Sequence, residues 1–224
     1  MKRIFPLGES ALTIEFSNEI SPETNDKVIN LAKYFDKNKF PGFIEIFPAF
    51  SSLTVFYEVY TVRQNFPEFP TAFDCVKNLA ENALRNFTEL TKEKSRVIKI
   101  PVCFDKRFAL DLDFVAETNR LKKDEVIEIF TAQTFRVYML GFLPGFAYLG
   151  EVDARIATPR KAAPRLKIPK GSVGIAGRQT GIYPLESPGG WQIIGATDVE
   201  LFTPYSKNPT FLRAGDLIRF HSVN

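Results

Sequence analysis

Residues 168–195 read IPKGSVGIAGRQTGIYPLESPGGWQIIG, in which short apolar runs are separated by glycine and proline. Ten of the chain's 13 glycines and six of its 15 prolines lie between residues 141 and 195. Short runs bounded by such turn residues are typical of the strands in β-barrels and β-sandwiches. Together with the strand patterns at Thr134–Leu140 and Leu217–Phe220, this stretch predicts a mainly-β fold for the C-terminal part of the chain.

Basic residues are concentrated in the same window. Without its seven cations the chain would have 22 Lys and Arg against 26 Asp and Glu, so the net charge of +3 comes from this segment. Glycine lets the backbone approach a ligand closely, and clustered cations favour an anion, so an anion-binding segment is one interpretation. The alternative is that the turns only punctuate a β-domain and the cations are solvated. The seven are Arg155, Arg160, Lys161, Arg165, Lys167, Lys170 and Arg178.

The residues before this β-rich part predict a smaller α+β domain. Ser21 is a preferred residue type for a helix N-cap, and the proline that follows it suits the first helical turn. Thr71 is expected to cap a second helix in the same way. The expected elements are a strand at Ala11–Phe16, a helix from Pro22 that includes Phe35, strands at Phe43–Phe47 and Leu53–Val59, and a helix at about Ala72–Phe87.

The polar stretch Thr88–Ser95 is expected to link the two parts. We therefore predict an α+β domain over residues 1–90 and a mainly-β domain over residues 91–224. The further elements expected in the second domain are a strand at Arg96–Val102 and helices around Leu112–Thr118 and Lys123–Thr131.

The bulk composition excludes several classes of function. Hydrophobic residues make up 45% of the 224 residues and charged residues 25%, which is ordinary for a globular protein. A net charge of +3 is too small to indicate nucleic-acid binding, and no apolar run predicts a signal peptide or a membrane span. Cys75 and Cys103 are expected to be buried free thiols. These features predict a cytoplasmic protein without nucleic-acid or membrane partners.

Most catalytic motifs that one sequence can reveal are missing. His221 is the only histidine, so neither a histidine-based triad nor a metal site is expected, and His221 is expected at the surface near a strand end. Gly171 and Gly177 precede Arg178, but their spacing and the arginine differ from a Walker loop. No catalytic acid or base is therefore assigned from the sequence.

Polar and turn residues of the glycine-rich window form the candidate substrate- or anion-binding site. Amide and hydroxyl side chains can orient a carboxylate, paired glycines can direct backbone N–H groups at an anion, and cations can complement its charge. Because no complete catalytic set accompanies them, the chain is expected to be a binding protein or one half of a composite active site. The candidates are Pro144, Gly145, Arg165, Lys170, Gln179, Thr180, Tyr183, Ser187, Gly189, Gly190 and Trp191.

The same window carries a family resemblance. The segments Tyr138–Gly150 (YMLGFLPGFAYLG), Thr158–Arg165, Ile168–Thr180 and Gly181–Gly195 resemble the allophanate hydrolase subunit 1 family, also called the KipI family. The resemblance extends to Pro101–Cys103, Asp124–Ile129 and Leu212–Phe220, whereas the N-terminal third is similar in layout more than in residues. It implies an α+β N-terminal domain followed by a mainly-β, cyclophilin-like barrel.

The resemblance also implies a function. Members of this family include the B subunit of bacterial 5-oxoprolinase, which with an A subunit and a homologous C subunit opens the lactam 5-oxo-L-proline to L-glutamate while hydrolysing ATP. This chain is then expected to act through a composite site, to be inactive alone, and to depend on ATP with magnesium without a covalently bound group. Phosphorylation of the amide oxygen would activate the unstrained lactam, and that route needs cations and N–H donors around a phosphoryl group.

Two alternatives stay open within the resemblance. The chain can be a KipI-like inhibitor of a sensor histidine kinase, for which the candidate surfaces are the barrel and the phenylalanine-rich N-terminal domain (Phe43, Phe47, Phe50 and Phe56). It can also be half of a biotin-dependent carboxyltransferase of the urea carboxylase type, with the biotin on a separate carrier.

Two positions depart from the family pattern. Phe130 stands where many relatives have histidine, and Ala196 stands where many have arginine. If either polar group acts in catalysis elsewhere, that role is missing or moved in this chain.

Overall fold

The computed structural model describes residues 3–19, 21–86 and 95–223. The chain divides into two compact units, residues 1–94 and 95–224. The expected linker, Thr88–Ser95, lies outside the described residues except for Ser95, and so does the boundary expected near residue 90.

The first unit is an antiparallel four-stranded sheet with helices, in the strand order β1-β2-β4-β3. Its apolar core includes Leu12, Ile14, Leu31, Phe35 and Val55, all of which are buried. The elements are β1 (Arg3–Pro6), β2 (Ala11–Glu15), α1 (Pro22–Lys37), β3 (Phe43–Pro48), β4 (Ser52–Tyr57), α2 (Val59–Asn65) and α3 (Ala72–Asn86).

The helix caps expected in this unit are confirmed. Ser21 Oγ accepts the backbone N–H of Thr24 at 3.1 Å, and Thr71 Oγ1 accepts that of Asp74 at 3.0 Å. Of the four phenylalanines considered for a protein-binding surface, Phe47 is exposed and Phe43, Phe50 and Phe56 are half-buried.

Two elements of the first unit were not expected from the sequence. The short strand β1 contains a proline and offers little periodicity. The strand expected at Leu53–Val59 ends at Tyr57, and α2 begins at Val59, although its first residues are β-branched and aromatic types that favour strands. The Glu58 carboxylate accepts the backbone N–H groups of Tyr60 and Thr61, at 2.9 and 2.6 Å, and so starts the helix.

Seven strands of the second unit, counted within the described residues, close into a barrel in the order β10-β7-β6-β13-β5-β12-β9. β5 and β13 pair in parallel, while β8 and β11 form a separate two-stranded sheet. The elements are β5 (Val97–Cys103), α4 (Leu112–Thr118), α5 (Lys123–Ala132), β6 (Phe135–Leu140), β7 (Ala147–Gly150), β8 (Arg165–Ile168), β9 (Ser172–Ala176), β10 (Gln179–Ile182), β11 (Ser187–Gly189), β12 (Gln192–Ala196) and β13 (Leu217–Val223).

Two apolar clusters follow from the alternation of side chains along the barrel strands. Leu149, Val173 and Ile175 belong to the main core of this unit. On β12, Ile194 belongs to this main core as well, whereas its neighbour Ile193 belongs to a second cluster on the other face of the strand. The α+β unit and the mainly-β barrel expected from the sequence are therefore both present.

Among the described residues, no helix combines the length and apolar character needed to cross a membrane. Cys75 and Cys103 are both free thiols; Cys75 is buried and Cys103 is half-buried. His221 is exposed on β13, as expected.

Candidate functional site

The glycine-rich window builds a layer of aromatic side chains on one face of the barrel, which we call the aromatic layer (Phe142, Phe146, Tyr148, Tyr183 and Trp191). Phe146 is its centre: its ring centroid lies 4.9 Å from that of Tyr148, 5.4 Å from that of Tyr183 and 5.5 Å from that of Trp191. Edge-to-face contacts at these distances are favourable between aromatic rings. Phe142 is exposed, and its ring contacts that of Phe146 at 5.5 Å.

Glycines of the strands leave the space that this layer fills. A Cβ atom at Gly181 would lie 3.0 Å from Phe146 Cζ and 3.1 Å from Trp191 Cζ3. A Cβ atom at Gly174 would lie 3.1 Å from the Cβ of Trp191. At these two positions the absence of a side chain therefore serves packing.

An ion cluster lies beside the layer, which we call the Asp111 cluster (Asp111, Lys161 and Arg165). The Asp111 carboxylate is 4% exposed. It accepts hydrogen bonds from both Nη atoms of Arg165, at 2.6 and 2.7 Å, and from Nζ of Lys161 at 3.1 Å. It also accepts the backbone N–H of Ile193 at 2.7 Å. Asp111 directly precedes α4, Arg165 begins β8 and Ile193 lies on β12. These hydrogen bonds therefore join the start of α4 to both strands.

A bulge in β8 directs Arg165 into this cluster. Arg165 lies opposite Gly189 and Ile168 lies opposite Ser187, so β8 advances three residues where β11 advances two. The extra residue places Arg165 and Ile168 on the same face, although a regular strand would place them on opposite faces. Leu166 consequently points outward and is exposed.

The charges of the cluster do not cancel, because two cations share one carboxylate. Burial acts to raise the pKa of Asp111, but the hydrogen bonds from Arg165, Ile193 and Lys161 outweigh it, so the pKa is lowered from its usual value. Arg160 adds a further cation nearby, with its guanidinium 5.8 Å from the centroid of the Trp191 ring.

The structure brings several of the predicted site residues together. Arg165 lies opposite Gly189, and the Gly190 carbonyl accepts the Lys161 backbone N–H at 2.7 Å. Tyr183 and Trp191 belong to the aromatic layer, and Ser187 is buried on β11. The turn that contains Pro144 and Gly145 presents Phe142 to Tyr183, with ring centroids 6.5 Å apart.

Three predicted residues have other surroundings. Lys170 Nζ pairs with Glu200 Oε2 at 2.6 Å. The hydroxyl of Thr180 is buried and donates to the Gly174 carbonyl at 2.9 Å. Gln179 lies half-buried opposite Gly150 at the start of β10.

The named groups can bind an anion, but they offer no proton acceptor at neutral pH. Burial raises the pKa of Tyr183 to about 12, against the lowering effect of its hydrogen bond with the Trp191 backbone, so this phenol keeps its proton. Asp111 is a poor base because its pKa is lowered and both oxygens accept hydrogen bonds. Among the described residues, the buried Ser187 Oγ and Gln192 Oε1 have no hydrogen-bond partner.

Sequence reasoning missed Asp111 and Gln192. Asp111 precedes a predicted helix, and an aspartate there was an available N-cap signal, although its side chain binds the cations instead. Gln192 follows Trp191 directly, but no sequence feature distinguishes it from other strand residues; its Nε2 donates to the Pro159 carbonyl at 2.9 Å.

The two departures from the family pattern have structural settings. Phe130 is fully buried in the main core, with its ring 4.9 Å from Phe220 and 5.0 Å from Phe135. Ala196 lies half-buried on β12 opposite Cys103 and Ser172. In this chain, position 130 therefore serves packing among aromatic rings.

In the part of the chain that the structure describes, no three His, Cys, Asp or Glu side chains are grouped closely enough to hold a metal ion. This finding concerns the protein's own side chains alone.

Residues 2–212 match the family described as "Carboxyltransferase domain, subdomain C and D". The chain is 48% identical over 223 residues to the B subunit of 5-oxoprolinase from Bacillus subtilis (strain 168), covering 99% of this chain and 93% of that protein. It is 37% identical over 218 residues to the B subunit of 5-oxoprolinase from Escherichia coli O157:H7, covering 97% of this chain and 94% of that protein.

Two further matches are to longer chains. The crystal structure of TTHA0988 superposes with a TM-score of 0.80 at 32% identity; the match covers all of this chain but 40% of that one. Urea amidolyase of Saccharomyces cerevisiae is 25% identical over 249 residues, which cover 97% of this chain and 13% of that protein.

Proposed function

The chain belongs to the family of carboxyltransferase domains, subdomains C and D, and on that premise we propose that it is the B subunit of an ATP-dependent 5-oxoprolinase. The observation that carries the proposal is the 48% identity, over nearly the full length of both chains, to the 5-oxoprolinase B subunit of B. subtilis. The reaction proposed is the opening of 5-oxo-L-proline to L-glutamate with hydrolysis of ATP.

The geometry supports a composite active site. Arg160, Lys161 and the Gly189–Gly190 turn lie around the aromatic layer, so a carboxylate or phosphoryl group can meet cations and backbone N–H groups there. Asp111 and Tyr183, in contrast, are not proton acceptors at neutral pH. We infer that this chain binds and orients an anionic group and that a partner subunit supplies the base.

The remaining components belong to the same proposal. The partners are a homologous C subunit and an A subunit, and the assembly is cytoplasmic. ATP with magnesium is the co-substrate of the assembly, and no group is bound covalently to this chain. Arg160 is the residue that fits a phosphate, since it is a cation whose side chain is exposed beside the aromatic layer.

The test is 5-oxoproline-dependent ATP hydrolysis, measured with this chain alone and with the A and C subunits. We expect activity only in the complete mixture. In that mixture, Arg160→Gln is expected to raise the KM for 5-oxoproline or ATP about tenfold, the effect of losing roughly 1.4 kcal/mol of binding. Lys167→Gln is the matched control, because Lys167 is an exposed cation of the same window that pairs with Glu186.

Two results would contradict the function and the assigned anion site, respectively. A mixture in which the three subunits associate but hydrolyse no ATP in response to 5-oxoproline would exclude the function. Equal kinetics of both variants and the wild type would leave the function standing and move the anion site away from Arg160.

A second candidate function has two specific observations in its favour. The match to urea amidolyase and the family description itself favour half of a biotin-dependent carboxyltransferase. Transfer of a carboxyl group from a carboxylated biotin carrier, measured with the same subunits, tests it. Carboxyl transfer without 5-oxoprolinase activity would make this candidate the better one.

A further inference from the structure

Four large apolar side chains of the second unit are exposed within three residues of Asp111 or Arg165 in the chain; we call them the apolar ring (Phe108, Leu110, Phe114 and Leu166). Their exposed fractions are 43%, 46%, 49% and 90%, in that order. Single exposed apolar residues are ordinary, whereas a group of them bordered by charges is typical of an interaction surface.

The ion cluster joins the two chain segments that carry these side chains. Leu110 precedes Asp111 in the chain and Leu166 follows Arg165, and those two charged residues pair at 2.6 Å. Lys161 Nζ pairs with Asp111 at 3.1 Å and lies 6.0 Å from the centroid of the Phe114 ring. The bulge in β8 directs Arg165 inward and turns Leu166 outward, so the same bulge positions one residue of the Asp111 cluster and one of the apolar ring.

The charges indicate what can cover this surface. Lys161 and Arg165 share one carboxylate, and about a quarter of each side chain is exposed to water. Arg107 lies on Phe108 and is already paired with Asp105 at 2.9 Å. A partner that covered the ring would remove water from the uncompensated cation, which is costly unless the partner brings a negative charge.

We propose that the apolar ring is the docking surface for a partner subunit of the 5-oxoprolinase, through an apolar segment of that subunit that carries a carboxylate next to Lys161 and Arg165. The inference rests on the proposed function. The proposal places the partner beside the candidate anion site, since the backbone N–H of Lys161 also donates to the Gly190 carbonyl.

The test uses the full chain, produced together with the A and C subunits. Leu166→Asp and Phe114→Asp introduce a negative charge where the partner's carboxylate is expected, and each should weaken the association at least about tenfold, as loss of an interface hot spot does. Tyr205→Asp is the matched control, because Tyr205 is fully exposed on another loop of the same unit. The Kd between this chain and its partner subunits is measured by titration calorimetry, and co-elution of the subunits is the second readout.

The outcomes separate the two proposals. Ring variants that bind as tightly as the wild type, or a control that loses as much affinity, would overturn the docking surface. A wild-type Kd that does not weaken between 0.1 and about 1 M salt would overturn the partner carboxylate, since screening must weaken such a contact. A complex that forms through the ring but lacks 5-oxoproline-dependent ATP hydrolysis would reject the function and keep the surface.

Discussion

Asp111 shows how one buried carboxylate can fix the positions of residues that are far apart in the sequence. Its oxygens accept hydrogen bonds from Lys161, Arg165 and the Ile193 backbone, which belong to a loop and two different strands. A buried ion pair adds little net stability over apolar residues of the same shape, but removal of one partner leaves the other charge uncompensated. Asp111 is therefore a positioning residue for the cations of the candidate site.

Replacement of Asp111 by asparagine should destabilise the second unit by about 3 kcal/mol, because two partly buried cations lose their counter-charge. The measurement is urea unfolding followed by the fluorescence of Trp191, the only tryptophan, which lies in this unit. Asp105→Asn is the control: it removes an ion pair of the same loop whose partner, Arg107, is largely exposed, so little change is expected. Equal stability of Asp111→Asn and the wild type would refute the positioning role.

The same pair of proteins gives a pH dependence with a defined sign. The pKa of Asp111 is lower in the folded state, so the carboxylate contributes stability above its unfolded pKa of about 3.9, and the contribution is lost as the pH falls through the folded pKa. The stability difference between wild type and Asp111→Asn should be constant above about pH 5 and shrink below about pH 4.

At this scale the sequence predicted the cations but not their partner. The basic residues were recognisable because no acid lies among them between residues 154 and 185. Asp111 lies more than 40 residues before that segment, and only the closed barrel brings it to Arg165. Among the described residues, Ser187 Oγ and Gln192 Oε1 are likewise buried without a hydrogen-bond partner. This depends on how the chain folds, and the residues next to them in the sequence do not predict it.

Among the elements, β11 ends in two consecutive glycines whose surroundings differ. A Cβ atom at Gly189 would meet the Tyr183 hydroxyl and, at 2.7 Å, Ile168 Cδ1. A Cβ atom at Gly190 would meet nothing closer than the Lys161 carbonyl oxygen at 3.6 Å. Packing thus explains the first glycine and does not explain the second.

Gly189→Ala should destabilise the second unit by about 1–3 kcal/mol, the usual cost of forcing an extra methyl into a filled space. Gly190→Ala is the matched control and should change stability by less than about 0.5 kcal/mol. Urea unfolding monitored by Trp191 fluorescence compares the two, since Trp191 follows both glycines within two residues. An equal loss in the two variants, or none in Gly189→Ala, would contradict the packing assignment.

The elements with strong local signals were predictable from the sequence. Ser21 and Thr71 cap their helices as expected, and β6 and β13 begin within one residue of the expected positions. α2 could not be predicted from propensity, because the Glu58 cap outweighs the β-branched residues that follow it. The β8 bulge could not be predicted either, since its register depends on the pairing with β11.

The whole molecule consists of two units that each have an apolar core of their own. Leu12, Val28 and Phe35 belong to the core of the first unit, whereas Phe130 and Val173 belong to that of the second. The mainly-β character of the second unit followed from its turn residues. Closure into a barrel did not, because the parallel pairing of β5 with β13 joins residues more than 100 positions apart, and that expectation came from the family resemblance.

Residues 95–224 should fold without the first unit, because the main core, the aromatic layer and all seven barrel strands lie within them. The expected result is a cooperative urea transition with buried Trp191 emission, together with a near-UV circular dichroism spectrum that shows ordered aromatic rings. A second fragment, residues 95–215, is the control: it lacks β13, so β5 and β6 lose the strand that lies between them. If barrel closure stabilises this unit, the longer fragment folds and the shorter one does not. Loss of the Trp191 signature in both fragments would mean that the second unit depends on the first for its stability, and two folded fragments would mean that closure through β13 is dispensable.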